Sequence, residues 1–468
     1  MKIHNFHPRF CPPSTRRAAF VAPRIGRLQH SEGGAKSSSP ETAPLGPPAP
    51  IAEGMVFASD TIERVYPGQS LTRISPYKRG DAANPLTFFL TPTEENVFSF
   101  GNVIDLPRDG IAFRESTASA IRVPTDHAFV VGGKVATHLF MEKVAQQGGL
   151  RIIARFREAP GKDIPYLFFF KSWSDLSSKR DLMPGEQIIL HTRVTKTKGN
   201  YGNLLAFMEL AAYAVDREIA EPNQKEALTG VHLHDGNRIF FTKVTAGGGP
   251  GELKINDGEI RGNFFFENFL NTQVKGIDPE EFLAFKANRF GATNDWLALD
   301  GLIENQYDFL GVKHLGRGWE GFKSHFGEDC PVVPGVVLLE WAIQTAGLQA
   351  VKLLRTQGTH VSPAVYRSLD FLGCGKVNFQ ASLSPRMAAG IKIEGDKLEG
   401  LTIVPQGPGK WLVTVNKISI NGFSDPDALT KQLAKLAHEG WFGVGTPIVT
   451  FPNLQFLLVD PEVAVPAP

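Results

Sequence analysis

Cysteine is scarce, with only Cys11, Cys330 and Cys374 in 468 residues. They form no CxxC pair and no spaced framework, which argues against a disulfide scaffold and for a reducing compartment. Charge of one sign is lacking as well. Lys+Arg 49 stand against Asp+Glu 48, so the balance gives no reason to expect nucleic acid or an anionic membrane as partner. No apolar run is both long and charge-free enough to cross a bilayer; the best, after Pro334, carries Glu340 and Lys352. No signal-peptide apolar core lies near the start. What is there is a chain with 42% hydrophobic residues, enough for a large core and roughly two to three domains.

Up to His30 there is no acid, while Lys2, Arg9, Arg16, Arg17, Arg24 and Arg27 are basic. Pro, Ser and Ala clusters follow. Residues 1–52 therefore read as a disordered leader, a targeting segment or a linker. The expected location is cytoplasmic, with plastid or mitochondrion as the alternative if 1–30 is a transit peptide. A first domain is expected over 53–245, a linker over 246–258 around TAGGGPGE, and a second domain over 259–465. In the first domain, 134–147 reads as a helix closed by Gly148-Gly149. YLFFFKSW, EQIILHTRVTKTK, NLLAFMELAAYAVD and His232–Val244 read as strands. In the second, DPEEFLAFKANRF is a helix opened by Asp278-Pro279, Ser424–Glu439 is another, and IVTFPNLQFLLVD is a closing strand.

The chain is organised around Trp319–Gly347, WEGFKSHFGEDCPVVPGVVLLEWAIQTAG. An aromatic, strand-like segment ends at His325. A turn bracketed by Pro331 and Pro334-Gly335 leads into the apolar run Val336–Leu354, read as a buried helix. One carboxylate, Glu340, interrupts it. A buried carboxylate is costly unless paired, coordinated or held protonated, so the chain is expected to use it.

The pattern occurs twice. His127 and Glu142 are 15 apart, as are His325 and Glu340; Gln146 and Gln344 follow the acids by four, Gly149 and Gly347 by seven; one offset of 198 relates all four positions. The reading is two copies of one α+β unit, a long helix wrapped by an antiparallel sheet, forming an internal pseudo-dimer. Across a dry slot, burial raises the pKa of a Glu so that it can donate a proton, while a neutral imidazole accepts one. The Gly335 amide, at a helix N-terminus, is placed to stabilise a thioester enolate oxygen.

HFGEDCPVVPGVVLLEWAIQTAG resembles the signature of FabA/FabZ-type 3-hydroxyacyl-acyl-carrier-protein dehydratases, hotdog-fold lyases. The match covers His325-Phe326, the Pro-Val-x-Pro-Gly turn, the helix acid, and the following Gln and Gly. The resemblance implies a double hotdog, two antiparallel sheets each wrapping a central helix. It implies dehydration of a 3-hydroxyacyl thioester, carried on acyl carrier protein, in fatty acid, polyunsaturated fatty acid or polyketide synthesis. Neither a metal nor a cofactor is called for, and further homo-dimerisation or membership of a larger synthase is open. In the family each site takes its His from one hotdog and its acid from the other. Carried over, His325 with Gly335 and Glu142 makes one site and His127 with Glu340 the second; Phe326, Pro334 and Val336 would contact substrate. The first copy has Ala136-Thr137 where the second has Pro334-Gly335, and Ala128 after His127, so the second site is the one expected to be degenerate. The rival readings are a hotdog thioesterase or isomerase, and a non-catalytic acyl-binding scaffold.

Other candidates read more plainly. His138 is expected to pack or face solvent. His232 and His234 have metal-like spacing, but alternate strand residues share a face. TAGGGPGELK lacks the GK[ST] ending of a phosphate loop. Arg151, Arg155, Arg157, Lys179 and Arg180 read as a solvated face or a carrier-protein dock.

Overall fold

A computed structural model describes residues 115–122, 129–142, 144–145, 166–200, 203–214, 235–250, 279–291, 295–304, 309–316, 319, 321–322, 332–395, 400–423 and 445–464. The expected leader, His127, His325, Phe326, His232, His234 and the expected helix over 424–439 lie outside them.

The first half supplies β1 (Glu115–Arg122), the short hairpin β2 (Val130–Val131) and β3 (Lys134–Val135), then helical residues at 137–142 and 144–145. β4 (Tyr166–Ser178), β5 (Gln187–Asn200), β6 (Asn203–Ala214) and β7 (Arg238–Pro250) follow. The second half opens with helix α1 (Pro279–Phe290), then β8 (Gly301–Glu304), β9 (Phe309–Leu315) and the long helix α2 (Gly335–Thr356). Next come β10 (Leu369–Cys374), β11 (Val377–Phe379), β12 (Met387–Ile393), β13 (Leu401–Gly407), β14 (Lys410–Phe423), β15 (Thr446–Val459) and the short α3 (Pro461–Ala464).

The strands join in the order β1-β5-β6-β7-β4-β10-β15-β14-β12-β9-β8, with β11 and β13 to the side. Every pairing is antiparallel. The two halves run the same course. In each, the strand before the helix (β1, β9) lies towards the outside, and the strand after it (β4, β10) lies at the junction. Between them stand β5-β6-β7 in one half and β12-β14-β15 in the other. At the junction β4 meets β10 and β11 antiparallel, Gly373 opposite Ser177 and Asn378 opposite Ser172. A two-fold relation between the halves produces such a pairing.

Helix α2 is apolar on nearly every side, and Val336 through Val351 are all buried. It packs on β9, β10, β12, β14 and β15. Small residues set how close it comes. A Cβ on Gly347 would lie 2.8 Å from a Leu369 methyl, and one on Gly311 of β9 would lie 2.2 Å from Thr345 Oγ1. The strands present alternate side chains to it: Trp411, Val413 and Val415 of β14, and Phe456 and Leu458 of β15, are buried.

Three expectations change. Thr245–Pro250 is not linker but the end of β7, paired with β4 on one side and, through Gly248, with β6 on the other. Glycine-rich sequence can lie flat between two partners that satisfy its backbone. The aromatic segment after Trp319 is not a strand in its described residues. Phe322 N–H bonds Trp319 O, and the Trp319 ring folds over Gly321, where a Cβ would meet it at 2.1 Å. Finally, Lys134 and Val135 are in β3, so the first helix begins later than its periodicity suggests.

Candidate active site

The turn Val332-Val333-Pro334 is buried and feeds α2. Pro334 caps the helix with extended backbone, and its carbonyl accepts from Val337 N–H (3.0 Å) and Leu338 N–H (3.3 Å). The amides of Gly335 and Val336 stand in the first turn, where no intrahelical acceptor exists and the helix dipole favours negative charge. Gly335 is tightly roofed. A Cβ there would lie 2.9 Å from Phe379 Cζ and 3.4 Å from Trp173 Cζ3. Trp173 belongs to β4, so the first half covers the N-terminus of the second half's helix. Phe379 packs edge-on against Trp173 and stacks with Phe170.

Glu340 lies further along α2, with no solvent exposure. Arg289, from the last turn of α1, meets it with two N–H groups, Nε to Oε1 at 2.6 Å and Nη2 to Oε2 at 2.8 Å. Gln344 Nε2 donates to Oε1 at 2.9 Å, and His138 Nε2 lies 2.6 Å from Oε2. Gln344 also ties down the loop before β8, donating to Leu297 O and accepting from Leu299 N–H.

The ionisation follows from these contacts. Burial by itself pushes the Glu340 carboxyl up, but the Arg289 charge and the hydrogen bonds from His138 and Arg289 outweigh it and hold the pKa at about 2. Burial lowers the pKa of His138, and the Arg289 charge adds to that, against the pull of Glu340. The cluster is therefore a carboxylate, a guanidinium and a neutral imidazole. An ionised carboxylate only accepts, so His138 presents Nε2–H to it and keeps its lone pair on Nδ1. Nδ1 is buried and has no hydrogen-bond partner among the described residues.

The expectation that burial makes Glu340 a proton donor is thus reversed: Arg289 keeps it charged. His138, expected to be a packing or surface residue, is a buried polar partner of Glu340 contributed by the other half. Its one signal in sequence is its position four residues before Glu142, on the same helical face. Arg289 gives no local signal, being 51 residues from its partner. Glu142 is helical and buried, Gly335 and Val336 open α2, and Pro334 caps it.

No family model matches the chain. Among curated proteins, the 3-hydroxyacyl-[acyl-carrier-protein] dehydratase FabZ of Bradyrhizobium sp. (strain BTAi1) is 37% identical over 111 residues, 23% of this chain and 66% of that protein's length. The FabZ of Rhodopseudomonas palustris (strain TIE-1) is 35% identical over 115 residues, 24% of this chain and 69% of the relative. Among solved structures, the dehydratase domain from the CurK module of the curacin polyketide synthase aligns over 77% of this chain and 97% of its own, at 12% identity and a TM-score of 0.36. The dehydratase domain of RzxB from Pseudomonas fluorescens aligns over 73% and 94%, at 15% identity and a TM-score of 0.34. On its identity to the Rhodopseudomonas protein, over more than two thirds of that relative, the chain belongs to the FabZ family of 3-hydroxyacyl-[acyl-carrier-protein] dehydratases.

Proposed function

We propose that the chain dehydrates a 3-hydroxyacyl thioester, presented on an acyl carrier protein, to the trans-2-enoyl thioester, and that its halves form a double hotdog. The principal site combines His325, the Gly335 amide and Glu142. The imidazole of His325 takes the C2 proton. The Gly335 N–H stabilises the charge growing on the thioester oxygen. The carboxyl of Glu142 gives a proton to the departing C3 hydroxyl, water leaves, and the double bond forms.

The observation that carries this assignment is the engagement of Glu340. Its carboxylate is charged and bonded to Arg289, His138 and Gln344, so it does not serve as the proton donor, and the repeat gives the buried Glu142 as the equivalent helix acid of the other copy. The repeat supports the same choice. His138 meets Glu340; shifting each by the 198-residue offset into the other copy turns that contact into Val336 meeting Glu142. By that symmetry we assign Glu142 to the first turn of α2 and its amides.

Purified full-length protein, given 3-hydroxyacyl and trans-2-enoyl thioesters of N-acetylcysteamine, tests the reading. Interconversion of the two, abolished by His325→Ala, supports it. Release of free thiol, or no turnover in either direction, would overturn it.

A further inference from the structure

The N-terminus of α2 is walled by aromatic rings from both halves. We propose that Phe379, held in place by Trp173 and Phe170, is a specificity-determining residue: it admits 3-hydroxyacyl thioesters with two hydrogens on C2 and excludes those carrying a 2-methyl group. The inference rests on the dehydration proposed above and narrows its substrate class.

The geometry begins at Gly335. In the first helical residue both the N–H and the Cα–Cβ direction point back past the helix N-terminus. A Cβ on Gly335 would lie 2.9 Å from Phe379 Cζ, 3.1 Å from Phe379 Cε1 and 3.4 Å from Trp173 Cζ3. On standard bond lengths the Phe379 ring edge therefore stands within about 5.5 Å of the Gly335 amide nitrogen. A thioester oxygen accepting from that amide puts its carbonyl carbon about 4 Å from the nitrogen, and the C2 and sulfur atoms about 5 Å from it. Gly335 and Phe379 are only half-buried, so both border accessible space. The wall offers ring carbons alone. That suits the acyl side of the thioester; the carrier side continues into amides whose N–H and C=O groups such rings leave unpaired. C2 is therefore assigned to the side of Phe379.

The wall has little freedom to step back. The backbone of β11 runs between two strands, with Asn378 opposite Ser172 of β4 and Thr450 of β15, and Phe379 opposite Val449. Gln380 N–H then donates to Ile448 O at 2.8 Å. The Phe379 ring meets Trp173 edge-on, centroids 4.8 Å apart, and stacks with Phe170 at 6.5 Å. Trp173 is buried and itself stacks on Phe451 at 6.0 Å. Packed side chains of this kind accommodate an added carbon poorly. A C2 hydrogen fits beside the ring edge. A methyl group there meets the same edge that leaves no room for a Cβ on Gly335. In an apolar pocket one carbon more or less changes kcat/KM about 10–200-fold.

The test gives full-length protein two probes, the N-acetylcysteamine thioesters of 3-hydroxybutyrate and of 2-methyl-3-hydroxybutyrate, the latter as each of its four diastereomers. The methylated probe keeps one C2 hydrogen, so elimination remains chemically open and fit decides. Wild type is expected to favour the unbranched probe at least tenfold in kcat/KM over the best diastereomer. Phe379→Leu withdraws the ring edge and should narrow that ratio at least fivefold. A merely structural role would lower both probes in step and leave the ratio where it was. Should Phe379→Leu melt early, Phe379→Met, with a flexible apolar chain, takes its place. Equal kcat/KM for the two probes in wild type overturns the inference and leaves the dehydration standing; a ratio unmoved in the folded variant does the same. A wild type that dehydrates neither probe overturns both readings.

Discussion

Arg289 and Glu340 face each other as a two-pronged pair, 2.6 and 2.8 Å apart, and neither side chain is more than 2% exposed. Such a pair joins α1 to the second turn of α2 and, through His138, the second half to the first. Removing one partner leaves the other charge buried. Arg289→Met is expected to cost about 3–5 kcal/mol of stability. Arg289→Met combined with Glu340→Gln should recover part of that, because the two sites share one interaction. Urea unfolding midpoints of the three variants check this.

The same pair predicts a pH dependence. A carboxyl held at about 2 when folded, against an ordinary value of 4.5, stabilises the fold fully above pH 4.5 and loses that stabilisation as pH falls towards 2. Unfolding free energy measured between pH 6 and pH 2.5 should fall steeply in wild type. In Glu340→Gln that fall should be shallower, from a lower starting value.

The two acids of the repeat should part company in a turnover assay. Glu142→Gln removes the proposed principal proton donor and is expected to lower kcat by about 10²–10⁴. Glu340→Gln should show its larger effect in thermal stability, with a smaller loss of kcat. Equal and mild losses in both variants would count against the assignment.

Gly335 offers a steric test. A Cβ there meets Phe379 Cζ at 2.9 Å and Cε1 at 3.1 Å. Gly335→Ala should shift the helix start and lower kcat about tenfold or more, as a misplaced oxyanion donor does. Phe379→Leu takes away the opposing ring edge and should restore part of that loss in the double variant. A double-mutant cycle on kcat reads the coupling.

Much of the architecture is written locally. The run Val336–Leu354 is too apolar to be anything but a buried helix, and position 347 is glycine where Leu369 leaves no room for a Cβ. The repeat of Glu, Gln and Gly at one spacing pointed to matching halves, and the strand order follows it. The charge state of Glu340 was not legible, because the deciding residue, Arg289, comes from a separate helix that the fold carries to it. His138 was missed for the same reason: helical position says which face a residue occupies, but not which helix from the other half lies against it. The glycines of Thr245–Pro250 misled because composition reports flexibility in isolation, while β4 and β6 decide their conformation.

The antiparallel seam between β4 and β10 lies within one polypeptide. A protein assembled from two identical subunits must carry every change twice, once on each side of its axis. Here each side mutates alone, so Arg289 can hold one helix acid in an ion pair without a matching change at the other. On the proposed assignment, the specific activity of such a chain should also be indifferent to dilution, since the half that completes the slot belongs to the same polypeptide.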